Sequence, residues 1–327
     1  MERLNDYLPP LSGLLETAQG NDGAYLLPKR KNLGCLSLVL LREAIAPLVI
    51  RNAEQEITDI EFNDETYIRA VPNKFKYPER GRALQILRAM DAGGRFPQNR
   101  TVIPKGAKVS EAFDLNTLVF GDSANKDNKV LPVRAAVSYS DGLSLRPKYF
   151  CIDESFHIRG GEEGTLWDQE AKKNTDNLFS RHFIKPGTLL VQVLSTRGKV
   201  LPLIGLKHLL LSVGLAGTYG GQTAVTGTNV RTHFVGLYGD WFEQAETSPY
   251  ELVRLAGSNE AQSVSATLDR LHGLLAPRHR TAIAGAEVQE WVNGLIAAFN
   301  QPGGALEQEY HTAAQAIGAL FEGWFEK

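Results

Sequence analysis

Between Gly205 and Tyr238 the chain reads GLKHLLLSVGLAGTYGGQTAVTGTNVRTHFVGLY, and the order of its parts constrains the fold more than any other stretch. Leu206, Leu209, Leu210 and Val213 repeat at helical spacing. A loop follows with glycines at 214, 217, 220, 221 and 227, and with Thr218, Gln222, Thr223, Thr226, Thr228 and Asn229 among them. Val230 to Tyr238 then alternates like a strand, with Arg231 and His233 at its start. Glycines let backbone N–H groups approach a ligand closely, and hydroxyls and amides add neutral donors. That chemistry suits a phosphate or a sugar–phosphate backbone. A dinucleotide fingerprint needs strand, glycine loop, helix, and here the order is reversed, so a Rossmann cradle is excluded.

Charge is as unevenly distributed as the glycines. The 327 residues carry a net charge of −2. Yet Arg69 to Lys108 holds ten Lys/Arg (69, 74, 76, 80, 82, 88, 95, 100, 105, 108) against Glu79 and Asp91. From Gly239 onward, twelve Asp/Glu face five Lys/Arg. One basic and one acidic surface would form an electrostatic footprint and would let identical copies stack head to tail. No run approaches the ~18 apolar residues of a membrane span, and the first residues lack the basic start and apolar stretch of a signal peptide. Two cysteines, Cys35 and Cys151, sit in apolar surroundings and are expected to be buried thiols in a reducing cytoplasm. Neither they nor the seven histidines show zinc spacing, so no metal and no cofactor is expected.

Residues 1–34 read as an irregular arm with a basic triplet, Lys29-Arg30-Lys31. CLSLVLLREAIAPLVIRN (35–52) reads as two strands or one bulged strand, because Pro47 interrupts it. Glu54 to Tyr67 is strand-prone and acidic. Pro78 is expected in the first turn of a helix with Leu84, Ile86 and Leu87 on its apolar face, which would put Arg80 and Arg82 in that first turn, where N–H groups favour anions. The basic stretch 91–111 reads as a loop or small insertion, Ala112 to Phe120 as a helix ending at Gly121, and 122–130 as a polar, mobile run. Strand-like flanks at 149–158 and 182–194 enclose a polar middle carrying Leu166, Trp167, Leu178 and Phe179, as in a protruding hairpin with apolar groups near its tip. Residues 248–327 read as entirely helical, with Trp291, Leu295 and Phe299 marking a buried face.

Within NKFKYPERGR (73–82), Lys74, Lys76, Arg80 and Arg82 interleave with Phe75 and Tyr77. Phosphates attract the cations, and unstacked bases attract flat rings. No nucleophile–base pair stands out: Ser195, His208 and Asp240 complete a formal triad, but no nucleophile elbow surrounds the serine, and His208 falls within an apolar helix. Acids at 54, 56, 59, 61 and 64 could hold Mg²⁺ or simply form an exposed strand face.

Taken in order, LSLVLLREAIAPLVI, YPERGRALQILR, LVFGD (118–122), RAAVSYSDGL (134–143), SRHFIKPGTLLVQVL and GLAGTYGGQTAVTGTNVR resemble the backbone subunit of a CRISPR–Cas effector complex. The resemblance is to the Cas-seven family of the RAMP group in its type I-D form, over about residues 33–245. It implies an α+β fold: a palm like an RNA-recognition motif (ferredoxin-like), with lid and thumb insertions, between an arm at 1–34 and a helical part at 248–327. The palm would span 35–247, with a basic insertion at about 91–111 and a thumb hairpin at about 150–184. It implies copies lined up along a guide RNA (crRNA), each thumb kinking the guide and leaving other bases to pair with target DNA. The implied partners are crRNA, target DNA, other copies, a large subunit, a Cas-five-like cap subunit and a crRNA-processing subunit, in the cytoplasm and away from membranes. Carried onto this chain, the RNA-contacting residues are Lys29, Arg30, Lys31, Lys74, Lys76, Arg80, Arg82, Arg134 (on the strand after LVFGD), Gly220, Gly221, Gln222, Thr226, Thr228, Asn229 and Arg231. Leu166 and Trp167 are the candidate wedges, since an apolar side chain can unstack a base step. The resemblance implies no catalysis. The rival is a metal-dependent nuclease cutting the bound strand through Asp59, as in type III relatives, although the glycine-rich lead-in of the cutting form is missing. A third reading is a nonspecific single-strand binder.

Overall fold

The computed structural model describes residues 1–14, 33–50, 58–94, 102–158, 167–168, 172–174, 178–220, 227–257, 260 and 263–325. In chain order these form β1 (Cys35–Ala44), β2 (Asp59–Phe62), β3 (Glu65–Ala70), α1 (Asn73–Ala89), α2 (Val109–Ala112), α3 (Leu115–Phe120), β4 (Asp122–Lys126), β5 (Lys129–Val133), β6 (Val137–Tyr139) and β7 (Gly142–Pro147). Then come α4 (Lys148–Cys151), β8 (Ile152–Ile158), β9 (Trp167–Asp168), β10 (Lys173–Asn174), β11 (Leu178–Ile184), β12 (Leu189–Thr196), α5 (Leu203–Leu215) and β13 (Val230–Asp240). The chain closes with α6 (Pro249–Ala256), α7 (Val264–Leu275), β14 (Thr281–Ala284), α8 (Gly285–Phe299) and α9 (Ala305–Phe325).

An α+β architecture results. Seven strands run in the order β14-β13-β1-β12-β7-β3-β2, every pairing antiparallel, and β6 adds to β12. The strand β1 is apolar almost throughout because it is central and covered on both faces. Leu36, Leu38 and Leu40 enter the larger core with residues of α1, α3, α5, α8 and α9. Val39 and Leu41 enter a second core, under α6 and α7. A bulge between Val39 and Leu40 shifts the register with β13.

Several expectations need correction. Helix α1 starts at Asn73, earlier than Pro78 suggests, so the proline lies inside it and Arg80 and Arg82 are beyond the first turn. The start is decided by Phe75, which is fully buried and pulls the preceding turn inward, while Lys74, Phe75 and Lys76 donate to the carbonyls of Val71 and Pro72. Residues 122–133 form the β4–β5 hairpin, turning on Asp127 and Asn128 at positive φ, as Asn63 and Asp64 do between β2 and β3. The C-terminal part is not all helical, because β14 pairs with β13 and widens the sheet. Its short TAIA run is fixed by that pairing, and Gly285 permits the close approach: a Cβ there would lie 1.7 Å from the Phe234 carbonyl oxygen. The arm is ordered at its start, where Leu4, Tyr7 and Leu8 are buried in the main core. On α8 the deepest residues are Val288 and Val292, beside the Leu295 that the sequence picks out, whereas Trp291 and Phe299 are only partly buried.

The β8–β11 hairpin stands apart from the main sheet, from Ile152↔Ile184 at its root to Leu178↔Ile158. Both cysteines are buried and free. No described helix is long and apolar enough to cross a membrane.

Candidate nucleic-acid interface

The two stems of the glycine loop are tied to each other. The Gly217 carbonyl accepts from the N–H groups of Asn229 (2.9 Å) and Val230 (3.2 Å). Asn229, fully buried, clasps the opposite stem: Tyr219 N donates to its Oδ1 (2.9 Å) and its Nδ2 donates to Tyr219 O (2.7 Å). Asn229 therefore shapes the loop rather than facing a ligand. Gly220 follows with φ +109°, a conformation that favours glycine, and Thr228 is exposed at the returning end. Gly221, Gln222 and Thr226 lie outside the described residues, as do Lys29, Arg30, Lys31 and Leu166.

Below the loop lies a group of residues that sequence reading missed. Arg42 and Glu79, both fully buried, form an ion pair at 2.7 Å. Glu79 also accepts from the hydroxyls of Tyr219 (2.8 Å) and Tyr139 (2.6 Å). Arg42 donates to Gln192 Oε1 (2.9 Å) and Thr232 Oγ1 (2.7 Å), and stacks 4.9 Å from the Phe75 ring. Burial opposes the charge on Arg42, but Glu79 and the tyrosines outweigh it and hold the guanidinium above its ordinary pKa. Burial, then the Glu79 charge, pushes both tyrosines well above theirs, so they remain protonated donors. One carboxylate thus ties the central strand, α1 and the loop stem together. Two signals for it were present: a lone arginine within LSLVLLREA and a lone glutamate within the basic segment.

This knot brings the start of α1 to the loop. The rings of Phe75 and Tyr219 pack at 5.3 Å, and Lys74 and Lys76 flank Phe75 in the first turn of α1. Burial, with the nearby charge of Arg80, lowers the Lys76 pKa, which marks a place where an anion would be welcome. Tyr77 is 75% exposed beside them. Arg80 pairs with Asp122 at 2.7 Å, and Arg82, exposed, donates to Gln85. Arg231 projects from the sheet face carrying Glu43, 3.6 Å away, whereas Thr232 points to the Arg42 face.

Arg134 does not join this group. It follows β5 rather than lying on a strand, and it lines a cleft at the far end of the sheet, beyond Thr196. The loop end and that end are about 23 Å apart along β12.

Trp167 is 52% exposed, and the hairpin and its root carry two more exposed aromatics, Phe156 and Tyr149. Their strand-like surroundings gave no sequence signal. Asp59 sits on the edge strand β2, ion-paired with Lys148. The formal triad is dispersed: His208, buried in α5, meets Tyr310, while Ser195 in β12 pairs with Ser37 of β1 and Asp240 ends β13.

No protein-family model matches the chain, and no curated protein matches it in sequence. Among solved structures it is similar to Csc2 of Thermofilum pendens, at 16% identity and TM-score 0.65, over 100% of this chain and 96% of that one. It is also similar to a chain of a CRISPR RNA-guided surveillance complex in a pre-nicking state, at 8% identity and TM-score 0.51, over 80% of this chain and 100% of that one. At such identities the likeness is one of fold.

Proposed function

We propose that this chain is a non-catalytic, guide-RNA-binding backbone subunit of a CRISPR effector complex, of the Cas-seven family in its type I-D form. The observation that carries the reading is the coincidence of two things: a fold shared with Csc2 along the whole chain, and a glycine loop bolted to the lysine-bearing start of α1 through one buried carboxylate. Strands β13-β1-β12-β7, with α1 and α5 packed together, follow the β-α-β-β-α-β pattern of a ferredoxin-like palm. The β8–β11 hairpin is the thumb, and Trp167 and Phe156 are its candidate wedges. Lys74, Lys76, Arg80, Arg82, Gly220, Thr228 and Arg231 hold phosphates without reading bases, as a protein accepting every guide requires. The family resemblance adds Lys29, Arg30, Lys31, Gly221, Gln222 and Thr226 to the proposed RNA contacts. Copies assemble along crRNA beside the complex's other subunits, and the guide pairs with target DNA.

Purified protein should carry RNA, seen as a raised 260/280 nm absorbance ratio, in large assemblies that shrink after ribonuclease and high salt. A protein that never takes up single-stranded RNA at low salt would refute the reading. The nuclease alternative has a narrow foothold in Asp59, whose carboxylate is already held by Lys148, so a metal would have to displace that lysine. Metal-dependent cleavage lost in Asp59→Ala, with RNA binding retained, would favour it.

A further inference from the structure

We propose that the cleft at the far end of the sheet receives the Phe242–Glu243 loop of a second copy, so that the protein self-associates without RNA. The cleft has a volume of about 640 Å³. Its floor is apolar, with Leu8, Leu118, Val133 and Val200, and its rim carries Arg134, Arg197 and Lys199. Among the described residues, no acid lines it and none of its three cations makes an ion pair. An apolar hollow ringed by cations selects an occupant with an apolar anchor and a carboxylate beside it.

The chain presents that pair on its own surface. Phe242 is 61% exposed, and Glu243 next to it is exposed. The loop is held in place: Trp241 N donates to Asp240 Oδ1 (2.7 Å), Gln244 Nε2 donates to Asp240 Oδ2 (3.0 Å), and Trp241 lies between the Tyr7 ring and the Arg280 guanidinium. A preformed loop loses little freedom on docking. A buried aromatic anchor inside a polar rim is the usual centre of binding energy.

Position supports the match. Strand β13 ends at Asp240 opposite Cys35, and Gly34 N donates to Trp241 O. Strand β12 ends at Thr196, also beside the start of β1, and Arg197 and Lys199 follow it. Loop and cleft therefore share one end of the sheet. Two copies related by a two-fold axis place each loop in the other's cleft, an isologous and closed contact.

Sedimentation velocity on RNA-free full-length protein tests this. A dimer is expected at low salt, dissociating at high salt. Phe242→Ala should weaken it about tenfold or more. Arg197→Glu and Glu243→Lys should each be monomeric, since each homodimer would set like charges against each other twice. Mixing the two variants should restore the dimer, because both contacts then regain opposite charges; this recovery also shows that each variant is folded. The proposal fails if the RNA-free protein stays monomeric at low salt, or if the dimer survives the charge reversals. It also fails if mixing does not restore what they remove, which would leave the cleft to a different protein. The experiment contains no RNA, so its outcome is independent of the RNA-binding reading.

Discussion

The two ends of the sheet carry similar cations in opposite settings. At the loop end, Lys74 and Lys76 ride on a helix turn fixed from beneath by Phe75, Glu79 and Arg42. At the cleft end, Arg134, Arg197 and Lys199 come from connecting segments and ring an apolar hollow, with no acid among its described lining residues. The contrast teaches that a basic residue's role follows from what anchors its backbone. On the readings proposed above, the loop end would face a backbone of phosphates, whereas the cleft end would receive a side chain.

The largest effect should come from breaking the anchor. Arg42→Met strands Glu79 in the core and should cost about 3–5 kcal/mol in urea unfolding, and adding Glu79→Leu should recover much of that loss. If the single change is mild, the knot is not what makes the loop end rigid. Next comes pH. Burial holds His208 down to about 3, against 6.5 in the unfolded chain. As pH falls below 6.5 the unfolded chain takes the proton first, so stability declines from there until pH passes the folded value. By pH 5 this amounts to about 2 kcal/mol. His208→Asn should flatten the decline, measured as unfolding midpoint against pH.

Smaller effects sharpen the contrast between the two ends. Lys74→Ala with Lys76→Ala should weaken single-stranded RNA binding about tenfold for every sequence and reduce the salt slope by about 1.4, two phosphate contacts' worth. Arg82→Ala should act in the same direction but less. Arg134→Ala should leave both quantities unchanged, since it stands at the other end. An Arg134 effect equal to that of the lysines would mean that one ligand spans the whole sheet.

Legibility in the sequence followed how local each signal was. Helix α5, the glycine loop and β13 were readable because period, glycine spacing and alternation are contained within a few dozen residues. The β8–β11 hairpin was visible from its flanks. The start of α1 was misplaced because Pro78 is a local cue, whereas Phe75 answers to a ring on another segment. Strand β14 was invisible because a run of only four residues becomes a strand only when β13 offers an edge. Asn229 looked like a ligand donor and proved to be a clasp, since its partner, ten residues earlier, is reached only when the loop closes.

By itself, then, the sequence determined the mixed α+β character, the inverted order that rules out a dinucleotide cradle, and the cations and aromatics around residues 73–82. Those depend on periodicity and composition, which the chain carries along its own length. Tertiary structure alone decided which of these residues share a surface. Arg42, Glu79, Tyr139 and Tyr219 are scattered over 178 positions and meet around one carboxylate. A buried charge is tolerated only when several partners converge on it, and that convergence exists only in the folded chain.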